Sequence, residues 1–296
     1  MRRRTLLLAL CLCTVLSWPS WAQSFEADYR VYWGPLGIAD FTLSTSLSET
    51  GYTSGLTAKT RGVLGVFFKA KAALETTGQR ASETLQAKSF NTDSVFNGDR
   101  YARTVAFAPN GTARITGRTV PGDYDIVRTP VSRRDFLGPD PFTFFLDVMQ
   151  SRGDITGRSF DGVQVVDTTF SCAEGEETLK KKRRRKYTGA AQKCTVEGTV
   201  LAGDIIDEPE KNEDDDGRDY VTEIWFARTL VNGLRIPVQV IAEGPRGTVK
   251  IYLRGFRARS DKLGLTDLKA PVRQQERDEK KAKAVKRTAL ALALGD

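Results

Sequence analysis

The chain of 296 residues contains no histidine, and that bounds its chemistry before any motif is sought. Ser-His-Asp and Cys-His relays need an imidazole to take and return a proton, and the usual zinc, copper and non-haem iron sites need its neutral nitrogen. Gly-x-Ser-x-Gly elbows, Ser-x-x-Lys pairs and glycine-rich phosphate cradles are also missing. What remains is carboxylate chemistry, for which 37 Asp and Glu offer many pairs but no known separation. These residues point to a non-catalytic protein without a cofactor, with a carboxylate-based hydrolase as the catalytic alternative.

Binding chemistry is concentrated in two charged runs. Lys180, Lys181, Lys182, Arg183, Arg184, Arg185 and Lys186 form an unbroken cationic stretch ending at Tyr187. Such a density suits a polyanion: lipopolysaccharide, anionic phospholipid or an acidic partner. The plainer reading is a solvated loop whose charges repel one another. The opposite run, Asp207 to Asp219, includes Glu208, Glu210, Glu213, Asp214, Asp215 and Asp216. Within it Asn212, Asp214, Asp216, Gly217 and Glu223 fall at positions 1, 3, 5, 6 and 12 of a calcium-loop template. We read it as an acidic β connection instead, because Asp219 sits where an apolar residue usually packs and Tyr220 to Phe226 reads as a strand. If Cys194 to Leu201 is a strand joining the two runs, they leave its ends about 25–30 Å apart, too far for direct pairing at physiological salt.

Residues 1–22 have the parts of a cleavable export signal. Arg2, Arg3 and Arg4 form a basic head, Leu6 to Leu16 an apolar run too short to span a bilayer, and Ser20 and Ala22 are small residues at the cleavage positions. Neither Leu10 before Cys11 nor Leu12 before Cys13 is the small residue a lipoprotein signal requires. Arg3-Arg4-Thr5-Leu6-Leu7 loosely resembles a twin-arginine signal, but the ordinary secretory route explains it equally well. Cleavage after Ala22 leaves 274 residues starting at Gln23, with net charge reduced from +8 to +5 by the loss of three arginines. The expected address is the periplasm, with no transmembrane segment after cleavage and no nucleic acid as partner. Only Cys172 and Cys194 remain, and in an oxidising compartment they are expected to form a disulfide.

Most of the remaining chain has the period of half-buried strands. Phe25, Ala27, Tyr29, Val31 and Trp33 alternate with Glu26, Asp28 and Arg30; Ala39, Phe41, Leu43 and Leu47 follow the turn Gly34-Pro35-Leu36-Gly37. Tyr101, Val105 and Phe107 precede another turn at Pro109-Asn110-Gly111. Ile236, Val238 and Val240 face Val249, Ile251 and Leu253 across Glu243 to Gly247, which predicts a hairpin. One helix stands out: Asp140 can cap it, Pro141 suits its first turn, and Phe142, Phe145, Leu146 and Met149 make a stripe that would plug or cover one side of the sheet. Pro271 to about Leu294 reads as a polar helix with an apolar end.

Several stretches, in order, resemble the exported bacterial family known as domain of unknown function 3108. They are Tyr29-Arg30-Val31-Tyr32, Thr60-Arg61-Gly62-Val63-Leu64-Gly65, Asp140-Pro141-Phe142-Thr143, Phe160-Asp161-Gly162, Cys194 with Gly198 and Ala202-Gly203, and Arg235-Ile236-Pro237-Val238 with Gly247-Thr248-Val249. The chain departs from the pattern at Val163-Gln164-Val165, where the family usually has basic residues, and the cationic run looks inserted. The resemblance implies a curved antiparallel sheet or open β-barrel, similar in shape to periplasmic lipoprotein carriers, and brings no catalytic residue with it.

These readings predict a signal peptide (1–22), a mainly β domain (23–260) with one short helix, and a charged helical tail (261–296). The expected function is to hold a lipid or other amphipathic ligand in envelope maintenance. The alternative is a scaffold gripping anionic envelope polymers or a partner through the basic loop.

Overall fold

In the computed structural model, residues 23–62, 64–81, 84–121, 128–131, 138–203, 221–231, 233–244, 247–260 and 264–267 are described. The expected signal peptide, Asn212, Asp214 and Asp216 of the calcium template, and the polar tail beyond residue 267 lie outside them.

One 14-stranded antiparallel sheet makes the fold. Its strands are β1 (Gln23–Trp33), β2 (Leu36–Leu47), β3 (Gly51–Thr60), β4 (Ala70–Ala81), β5 (Thr84–Phe96), β6 (Asp99–Phe107), β7 (Ala113–Thr119), β8 (Ile155–Phe160), β9 (Val165–Leu179), β10 (Gly189–Ala202), β11 (Val221–Val231), β12 (Leu234–Gly244), β13 (Gly247–Ser260) and β14 (Gly264–Asp267). The spatial order runs β7 to β1 as a meander, then β13 down to β8, with β14 on the free part of β13. β14 carries the sheet past residue 260, where the sequence ends the β domain. The join between the two meanders is β1 against β13, which buries the alternating Phe25, Ala27 and Tyr29 beside Phe256 and Leu253.

The sheet curls into a nearly closed barrel whose seam lies between the outer strands β7 and β8. Side chains and loops close it in place of a ladder. Phe160 and Val165 pack with Phe90, Val105 and Phe107 in one cluster, Phe160 N donates to Pro139 O at 3.0 Å, and Arg103 donates to Asp161 O at 3.4 Å. A side chain at Gly162 would meet Arg103 Cδ at 2.3 Å, and one at Gly203 would meet Val163 O at 1.9 Å. Only glycine fits at these positive φ values, against the Arg103 and Val105 side chains at Gly162 and against the Val163 backbone at Gly203. Asp161 Oδ1 accepts from Val163 N and Gln164 N, both at 2.7 Å, fixing the turn between β8 and β9.

Among the described residues two helices interrupt the sheet: the single turn α1 (Leu64–Phe67) between β3 and β4, and α2 (Pro141–Gln150). α2 has the expected cap, Asp140, and the expected Pro at its start. Its buried face differs from the predicted stripe, being Thr143, Phe144, Leu146, Val148 and Met149, with Phe142 and Phe145 only partly buried. The reason is placement: α2 packs against β3, β4, β5, β8 and β12, strands of both meanders, so it is enclosed on several sides and its amphipathic stripe no longer marks what is buried.

Candidate functional site

The plug is held at both ends by buried polar groups. At its N-terminus Asp140, fully buried, accepts from Phe142 N at 2.9 Å, Thr143 N at 3.0 Å, Thr76 Oγ1 at 2.7 Å and Thr143 Oγ1 at 2.5 Å, and Tyr52 OH lies 2.5 Å from Thr143 Oγ1. Burial pushes the Asp140 carboxyl up, against the pull of these donors. Tyr52 is likewise raised by burial. At the other end Arg235 is 2% exposed. Its guanidinium donates to Val148 O at 2.8 Å, Gln192 Oε1 at 3.1 Å, Gly153 O at 3.3 Å and Cys172 Sγ at 3.3 Å, and lies over the Phe226 ring. Burial and nearby Arg228 lower it to about 10. A cation on the last helical carbonyls also meets the negative end of the helix dipole.

Cys172 and Cys194 are directly opposed on β9 and β10 and bonded, with Cα atoms 3.9 Å apart. The hairpin they staple ends in the cationic run, which is not a free loop. Arg184 donates to Gly34 O at 2.7 Å and Pro35 O at 2.9 Å and lies 4.8 Å from the Tyr32 ring centroid. Arg185, 5% exposed, donates to Gln239 Oε1 at 3.0 Å. Arg254 donates to Arg184 O at 3.0 Å, and Leu179 and Tyr187 are buried where the segment leaves β9 and enters β10. Residues 180–188 thus form a strap over β12, β13 and β1. Within the run Arg184 and Arg185 hold the strap down, while Lys180, Lys181, Lys182, Arg183 and Lys186 are exposed. Sequence reasoning missed this because the run is uniform in charge and the acceptors of Arg184 and Arg185 lie far away in the chain.

Of the calcium template only Glu223 is described, on β11 as expected of a strand, where it pairs with Lys193. Among the described residues no cluster of His, Cys, Asp or Glu has metal-binding spacing.

The inner face changes character along the barrel. On the half that meets α2, Leu43, Thr45, Leu47, Tyr52, Ser54, Thr76, Leu85 and Phe90 are buried. On the other half the same face continues through Ala39, Phe41, Leu56, Ala58, Ala72 and Leu74, all only half-buried. Their shared face follows from register, which sets Phe41 opposite Ala58, Ala58 opposite Ala72, and Leu56 opposite Leu74. At the end of that half, three successive hairpin connections carry exposed apolar residues: Trp33 (45%) and Leu36 (52%) between β1 and β2, Phe67 (69%) and Phe68 (48%) between β3 and β4, and Phe96 (45%) before the Asn97-Gly98 turn. Phe68 and Phe96 stack at 6.3 Å. Because an antiparallel meander returns to the same end every second turn, these residues share one rim. The sequence signal was present as aromatics beside turn residues, but a single exposed apolar residue says little until its neighbours are known.

A family model described as "Protein of unknown function (DUF3108)" matches residues 28–254. Among solved structures, the chain is similar to "Crystal Structure of Beta-barrel-like Protein of Domain of Unknown Function DUF1849 from Brucella abortus", at 10% identity and a TM-score of 0.40, over 80% of this chain and 97% of that one. No curated protein matches.

Proposed function

Since the chain belongs to the DUF3108 family, whose function is unknown, its activity must be read from its own geometry, and we propose that it is an exported, non-catalytic barrel that holds a lipid or other amphipathic ligand in its half-open lumen. The observation that carries this reading is the burial gradient on the inner face. The lower half is filled by the plug, whereas small and apolar residues of the upper half, Ala39, Ala58 and Ala72 among them, keep contact with solvent. A lumen lined by alanines and leucines and closed at one end suits an alkyl chain, with the polar group left at the mouth. The stretches that carry the resemblance have structural uses here: Asp140-Pro141-Phe142-Thr143 fixes the plug, Phe160 and Ala202 pack in the cluster that closes the seam, and Gly203 lies against the β8–β9 turn. The Cys172–Cys194 bond suits an oxidising compartment such as the periplasm.

Native mass spectrometry and lipid extraction of the purified protein test the reading, together with displacement of a fluorescent alkyl probe. Ala58→Phe and Ala72→Phe add bulk to the upper lumen and should abolish probe binding while leaving the unfolding midpoint within a few degrees. Probe binding unchanged in both variants, or a purified protein that takes up no amphipathic molecule, would overturn it.

A further inference from the structure

We propose that the rim end of the barrel docks on an anionic lipid bilayer. This goes beyond the ligand reading and holds whatever the lumen contains. Trp33, Leu36, Phe67, Phe68 and Phe96 lie between 45% and 69% exposed on three neighbouring connections, a concentration of aromatic residues that is costly in water and suited to the headgroup boundary. Charge complementarity selects the occupant. Lys69 follows Phe68 directly, and Lys59 and Lys71 are exposed on the strands that flank the α1 connection. Arg184, by gripping Gly34 O and Pro35 O, brings the strap to the β1–β2 turn, and the exposed Lys182 and Arg183 precede it directly in the chain.

Of the acids near this end, Asp40 is shared by Arg30 and Arg61 and Asp93 is paired with Arg100, while Asp99, Glu197 and Glu243 are exposed among the described residues. Apolar side chains that enter the boundary region with cations around them recognise phosphate-bearing, negatively charged lipid. Half-buried Arg184 and buried Arg185 therefore have a positional role: they hold their exposed neighbours at the rim.

The test uses the chain beginning at Gln23, which contains every described residue of the barrel, and vesicles of phosphatidylcholine alone or with roughly 30% phosphatidylglycerol. Co-sedimentation should show binding to the anionic vesicles only. Phe67→Ser with Phe68→Ser should weaken it by roughly a hundredfold, about tenfold for each ring withdrawn from the boundary, and Phe67→Leu with Phe68→Leu should restore most of it. Lys182→Ser with Arg183→Ser should weaken it by roughly twentyfold, about fivefold for each cation. Fluorescence quenching by bromolipid should fall when Trp33 is replaced by Phe and persist when Trp225 is. Equal binding to neutral vesicles, indifference to the Phe67 and Phe68 changes, or self-association abolished by them without vesicle binding would each overturn the proposal.

Discussion

Asp147 stands in the second half of the plug helix, near the end whose carbonyls already carry negative partial charge, and about two turns from the buried Asp140. Burial first, and the neighbouring Asp140 second, push its carboxyl up from 3.8 to about 6. The fold therefore favours the protonated form. Stability is full below the unfolded value near pH 4 and declines as pH rises towards 6, because the native state must then carry a charge that the unfolded chain carries freely. A displacement of that size corresponds to about 3 kcal/mol; partial access to solvent reduces it to about 1–2 kcal/mol. Asp147→Asn keeps the shape and removes the charge. The variant should match the wild type in urea unfolding at pH 4 and exceed it by about 1–2 kcal/mol at pH 7.5, with most of the change between pH 4 and 6. A variant less stable than wild type at pH 7.5, or a difference that does not vary with pH, would refute the reasoning.

Arg235→Met should cost about 3 kcal/mol, because Val148 O and Gln192 Oε1 lose a buried charged donor, and Arg235→Lys should recover little, since an ammonium cannot span the same acceptors; chemical denaturation measures both. Replacing Cys172 and Cys194 with serine should remove about 3 kcal/mol in the chain-entropy model and speed trypsin cleavage within residues 180–186, and unchanged cleavage would show that Arg184 and Arg185 hold the strap without the bond.

Local chemistry accounts for what was legible in the sequence. A period of two marked β1, β2, β6 and the β12–β13 hairpin because a strand turned towards a core must alternate. Asp140-Pro141 marked the start of α2 because a cap acts within three residues. The pair of cysteines left after residues 1–22 pointed to its own bond because there was no other candidate. The expected polar tail helix falls outside the described residues, and β14 continues the sheet into the start of that segment.

The features that give this protein a site belong to the tertiary structure. Alternation fixes which side chains share a face but not which strand lies beside which: Tyr29 donates to Pro237 O, 208 residues away, and no local pattern encodes that closure. Curling the sheet turned one apolar face inward, enclosed α2 so that its predicted stripe lost meaning, and gathered Trp33, Phe67 and Phe96 from three separate turns onto one rim. It also set two members of a uniform run of seven cations, Arg184 and Arg185, on acceptors that the chain had long left or had yet to reach. Composition and period determined that this chain builds a β sheet stapled by one disulfide; the register and shear of that sheet decided what it leaves open.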